Sequence, residues 1–239
     1  MRLGMGLRLS DLLKHGATGY TGTLLNGMVS YWALDEESGT RYDSVGDNDL
    51  TDNNTVGFDT GVNGNAASFV AANSESLTKA SVSLPADYTV SYWYKAPAKP
   101  DSFATPFAVI TTWNTQVQLF GYYSNGVLTF GVGEDGVAAA SANLTYQDVD
   151  GQEWHLVVIS YDSATKVATG FIDNANTAST APLSAARYAG PSTLTVGHAG
   201  AYGYWDGQID EVAIWSRVLT EDERAELYNA GSGFFYPFT

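Results

Sequence analysis

Residues 88–95, Tyr-Thr-Val-Ser-Tyr-Trp-Tyr-Lys, place Tyr88, Val90, Tyr92 and Tyr94 on one side of an extended chain and Ser91, Trp93 and Lys95 on the other. Large rings on both sides need cover on both sides, so this strand belongs inside a layered sandwich. Further strand-like runs lie at 28–34, 107–113, 117–123, 127–132, 154–162, 166–173, 193–197 and 208–215, each bounded by turn residues. Ser124-Asn125-Gly126 joins two of these runs as a hairpin turn, because Asn-Gly readily supplies positive φ angles. Antiparallel β-structure is the economical account, and no repeat longer than a hairpin or low-complexity linker divides residues 28–230.

The bulk numbers restrict function. With 26 acids against 11 bases, a formal charge of −15 repels phosphate backbones and anionic membrane surfaces, which excludes nucleic acid as a partner. Only 15% of residues are charged and 44% are hydrophobic, so the acidity does not signal disorder. Cysteine is absent, which removes disulfides and thiolate metal sites. No run approaches the roughly 18 apolar residues of a membrane span. Met1 to Leu13 mixes Leu with Gly and Arg and does not read as a signal peptide, so display outside a cell calls for another route.

Three segments are expected along the chain. Residues 1–27 form an arm and linker: Leu3, Met5, Leu7 and Leu9 alternate with Arg2, Gly4, Gly6 and Arg8 at the period of a strand, which suits a docking peptide. Residues 28–230 form the sandwich, and 231–239 an aromatic tail that packs on its own domain. One short helix is signposted by Thr220-Glu221-Asp222-Glu223, a capping box with three acids at the positive end of the helix dipole, and is stopped by Asn229, Gly231 and Gly233.

Three stretches together resemble the laminin-G-like, concanavalin A-like jelly-roll family. Val29 to Gly39 with Tyr42 to Asn48 is similar to the family's opening strand and Asp-Ser-x-Gly turn. Glu153 to Asp162 is similar to its central Trp-His strand. Gly207 to Thr220 is similar to its closing strand and terminal helix. The match implies an all-β, antiparallel two-sheet jelly-roll sandwich with one short C-terminal helix. The sequence departs from the family at Phe171-Ile172-Asp173-Asn174-Ala175, where members often carry a Tyr-x-Asp-Gly hairpin.

The resemblance also implies a structural calcium, with Asp43 and Asp210 as side-chain ligands and Asn48 as a carbonyl or amide contributor, joining the first turn to the last strand. Without metal, Asp43 caps its turn and Asp210 accepts backbone donors. Glycosidases of the same fold carry Glu-x-Asp-x-x-Glu; here Gln208 stands at the nucleophile position, and Asp210 and Glu211, as strand neighbours, are expected on opposite faces. His15, His155 and His198 follow no metal-binding spacing and show no triad partners. Glycan recognition uses aromatic faces on rigid loops, and two groups fit: Tyr202 and Tyr204 beside Trp205, a residue the resemblance assigns to the core, and Trp113 with Tyr122 and Tyr123.

These features lead to a non-catalytic structural or adhesive surface protein. Resemblance to short laminin-G-like proteins of phage genomes implies a virion decoration or fibre-associated role, with residues 1–27 docked on capsid or tail proteins and the sandwich facing host-surface glycans. The alternative is a freestanding carbohydrate-binding, lectin-like module in an extracellular setting. A fibre role admits a homo-oligomer, though no heptad repeat encodes one.

Overall fold

The computed structural model describes residues 22–96, 103–112, 115–124, 126–145, 153–200 and 202–239. In chain order they form β1 (Met28–Trp32), β2 (Thr51–Asn53), β3 (Gly57–Thr60), β4 (Asn65–Phe69), β5 (Ser76–Val82), β6 (Tyr88–Lys95), β7 (Ala104–Thr112) and β8 (Gln116–Ser124). There follow β9 (Val127–Val132), β10 (Ala140–Thr145), β11 (His155–Asp162), β12 (Val167–Ile172), β13 (Asn176–Ser179), β14 (Ser192–Val196), β15 (Gly207–Trp215) and the helix α1 (Glu221–Tyr228).

The strands make two antiparallel sheets. The first runs β13-β12-β11-β6-β15-β4-β3, with β1 laid against the far half of β15; the second runs β10-β9-β8-β7-β14-β5-β2. The expected jelly-roll sandwich and its short terminal helix are present. Opening and closing strands lie side by side, Tyr31 opposite Ala213 and Trp32 opposite Val212. Gly126 takes φ +76° at the β8–β9 turn; Asn125 lies outside the described residues.

The two-faced reading of 88–95 explains the layering. Tyr88, Val90, Tyr92 and Tyr94 enter the core between the sheets with Phe69, Phe107, Leu119, Phe130, Val157, Leu194 and Ile209. Trp93 turns outward and joins Tyr31, Leu156, Val158, Ala213 and Trp215 beneath the helix and the aromatic tail. Each large apolar side chain fully buried this way contributes roughly 1.5–3 kcal/mol. The tail packs on its own domain: Tyr236 lies 5.0 Å from Tyr31, and Phe235 6.4 Å from Trp93.

Residues 22–27 are already part of the domain. Leu24 is buried, its carbonyl accepts the Trp215 indole N–H at 2.6 Å, and Arg217 donates to the carbonyls of Thr23 and Asn26. The Thr23 hydroxyl donates to Glu223. Glu223 closes the predicted capping box with Thr220 and pairs with Arg217 at 2.6 Å, so one carboxylate fastens the start of the chain to the helix. Residues 1–21 of the expected arm lie outside the described residues.

Candidate functional site

The second sheet carries an aromatic platform on its outer face. Along β8, Leu119 and Tyr123 point into the core while Phe120 and Tyr122 point outward. Tyr122 is sandwiched between Phe120 at 5.8 Å and Tyr202 at 4.6 Å, all three rings nearly parallel. Phe103 stands edge-on to both Tyr122 and Tyr202, 5.1 Å from each, and remains 48% exposed.

The backbone holds this stack. Gly203 bridges to Ala104: its N–H donates to the Phe103 carbonyl at 2.6 Å, and its carbonyl accepts from Thr105 at 3.2 Å. A Cβ at Gly203 would lie 2.6 Å from the Phe103 carbonyl oxygen, so only glycine lets the loop approach β7 this closely. Burial and the neighbouring Tyr122 push the Tyr202 phenol up to about 12. Beside it Tyr204 stacks on His198 at 4.0 Å, and burial lowers that imidazole below its usual range.

The structure thus brings Tyr122 and Tyr202 together and adds two rings the sequence reading did not include, Phe103 and Phe120. Phe120 carried a signal, since it shares a face with Tyr122 at a spacing of two; Phe103 carried none. Tyr123 is a core residue, packed 5.0 Å from Tyr94 and 5.6 Å from Trp205, which is itself fully buried. Trp113 lies outside the described residues.

The proposed calcium ligands are engaged differently from an ion-binding set. Asp43 accepts four backbone N–H groups, from Tyr31, Val45, Gly46 and Asn48 at 2.9–3.2 Å. Asn48 donates its amide to the Ser30 hydroxyl, and its carbonyl accepts the Trp32 indole N–H. Asp210 instead holds the β3–β4 turn, accepting from Val62 at 2.9 Å and Asn63 at 3.4 Å as well as from Glu211. Oxygens filled by N–H donors do not fit a shared calcium shell, and among the described residues no group of three or more His, Asp or Glu is placed to hold a metal.

One expectation about β15 is corrected. Asp210 pairs with Trp93 and Ala213 with Ser91, so three steps on β15 face two on β6, a β-bulge in which Glu211 takes φ +52°. The bulge breaks the alternation, and both carboxylates serve one turn, Glu211 accepting from the Asn63 amide at 2.9 Å. Both are buried, and burial pushes each up to about 8; at Asp210 the backbone donors oppose the rise.

The two-sheet sandwich defines a jelly-roll domain. Residues 63–223 match the family model described as the concanavalin A-like lectin/glucanases superfamily, of laminin-G type, and the chain belongs to that family. Solved structures show the same fold. The binding domain of Paraclostridial Mosquitocidal Protein 1 aligns with a TM-score of 0.69 at 14% identity over 86% of this chain and 52% of that one. The Botulinum neurotoxin serotype G binding domain gives 0.66 at 14% over 85% and 51%. A heptameric SAP-like pentraxin from Limulus polyphemus gives 0.50 at 15% over 64% and 75%. The chain spans about half the length of the two toxin binding domains. No curated protein matches the sequence.

Proposed function

We propose that this jelly roll is a non-catalytic recognition module that binds glycan on the platform of Phe103, Tyr122 and Tyr202, with Tyr204 alongside. Phe103 carries the reading: a ring left half in water, yet fixed edge-on against two others, is an apolar surface kept ready for a partner. The apolar face of a sugar ring fits such a surface. The non-catalytic part rests on Gln208 at the nucleophile position and on the burial of Asp210 and Glu211. Structural neighbours that are toxin binding domains support a recognition role in an extracellular or surface setting.

Glycan-array screening followed by titration tests the platform. Phe103→Ala removes about 1.5–3 kcal/mol of contact, a tenfold or greater loss of affinity, with the fold intact; wild-type affinity in that variant refutes the assignment.

The setting we propose is the surface of a phage virion, with the chain before β1 docked on capsid or tail proteins. The strand-like alternation of Leu3 to Leu9 supports it, as does the fixed point at Thr23 to Gly27 from which the arm leaves. Deleting residues 1–21, which spares the anchored segment, abolishes particle incorporation while leaving the melting temperature unchanged. If incorporation is unaffected, the freestanding lectin is the better description. Oligomeric state, read by light scattering, accompanies either role.

A further inference from the structure

A second concavity lies on the opposite face, where the first sheet meets the end of α1. Val62 of the β3–β4 turn, Glu153, Trp154 and His155 at the start of β11, Asp173 after β12, and Tyr228 with Ala230 and Gly231 at the end of α1 line a groove of about 510 Å³. This falls within the roughly 300–1,000 Å³ of small-ligand sites.

Its frame is rigid. Asp173 accepts the Leu156 N–H at 2.9 Å and meets His155 Nδ1 at 2.7 Å, which ties the turn after β12 to β11. Asp173 and Asn174 both take left-handed backbone, φ +53° and +54°, in the turn that departs from the family's Asp-Gly pattern. Tyr228 is fixed from behind by stacking on Trp93 at 6.1 Å. The indole of Trp154, half-buried against the outer cluster, forms a second wall.

The electrostatics select the occupant. Among the described residues, neither Lys nor Arg lines the groove, and two carboxylates from separate elements do, Glu153 and Asp173, the latter paired with His155. Both carboxylates share the groove with the Tyr228 ring, whose phenol is raised first by its burial and then by Asp173 and Glu153. Aromatic walls with convergent carboxylates favour an organic cation over a neutral polyol, because ring faces and anions both attract positive charge.

We propose that this groove is a binding site for an organic cation, the ammonium or guanidinium group of a lysine or arginine side chain on a partner protein. It is independent of the glycan platform on the other sheet. Glu153 supplies the exposed anion that meets the cation, Asp173, whose oxygens already meet the Leu156 N–H and His155, adds negative charge without direct contact, and Trp154 and Tyr228 supply the aromatic walls.

Titration of the full chain with Nα-acetyl-lysine amide, followed through the Trp154 indole N–H by nuclear magnetic resonance, tests the site, with methyl glucoside as the neutral control. The indole shift saturates with the cation, weakens with added salt, and is absent for methyl glucoside. Glu153→Gln, an exposed change that leaves the fold alone, lowers affinity about fivefold or more, and Trp154→Phe, which removes the reporter, confirms the assignment of the signal. Phe103→Ala leaves cation binding unchanged, which separates this site from the platform. A signal that does not saturate, an equal response to methyl glucoside, or a Glu153→Gln variant that binds as well as wild type each overturns the proposal.

Discussion

Glu211 shows how far one residue can depart from a strand's rule. Its positive φ swings its carboxylate to the side already held by Asp210, and neither acid has a basic partner in the contacts that define the turn. Burial holds both near 8, whereas unfolded carboxylates titrate at roughly 4. Between these values the folded chain binds more protons than the unfolded one, so stability falls with rising pH. Their stabilising contribution is complete below about pH 4 and is lost as pH rises through about 8. Glu223 works in the other direction. Burial raises it, but the Arg217 and Thr23 hydrogen bonds and the Thr220 N–H win and hold it at about 2. Its contribution is present above the usual glutamate range and is lost as pH falls towards 2. Thermal melts are therefore expected to show stability declining between about pH 4 and about pH 8, with Glu211→Gln flattening that decline; equal slopes in both proteins contradict the assignment. None of this was legible in sequence, because a non-glycine bulge leaves no mark and Asp210-Glu211 reads as plain alternation.

Among the elements, legibility follows the number of large apolar side chains in a run. Residues 88–95, 127–132 and 154–162 stood out because both or alternate faces are apolar, and the structure places strands there. Thr51–Asn53, Gly57–Thr60, Ala140–Thr145 and Asn176–Ser179 were missed because they are short, polar and mostly exposed; Asn65–Phe69 and Ser76–Val82 were missed because their few buried apolar residues are interleaved with Asn, Ser, Thr and Lys. The helix was readable from its cap alone, as Thr220 and Glu223 satisfy each other's backbone donors. Thr220→Ala is expected to cost about 1 kcal/mol, lowering the melting temperature by roughly 2–4 °C for a domain of this size. Since Glu223 also holds Thr23 and Arg217, a loss larger than that of an isolated cap, measured by denaturant titration, is the sign that helix and chain start loosen together. The platform was half visible: Tyr122 and Tyr202 are aromatic residues near turns, but their stacking depends on the Gly203 approach to β7, a contact between residues a hundred positions apart.

At the scale of the whole molecule, stability rests on two layers of packing, one between the sheets and one beneath the helix and tail. Cysteine is absent, Asp43 holds the first turn and Asp210 the β3–β4 turn through backbone donors, and we propose that the domain keeps its stability without a metal. Thermal melts with and without EDTA are expected to superimpose; a chelator-dependent drop restores the calcium reading. The order of the three family-like stretches carried the fold, because each falls in the first sheet or its flanking turns, where β1, β11 and β15 share one hydrogen-bonded layer or its neighbours.

The clasp of Thr23 and Leu24 on the helix side has a geometric outcome. Residues 23 and 24 lie against the first sheet and the helix, while Phe103 looks out from the second sheet. A tether attached directly at residue 22 would hold the domain by the side away from that ring and leave it turned towards whatever approaches.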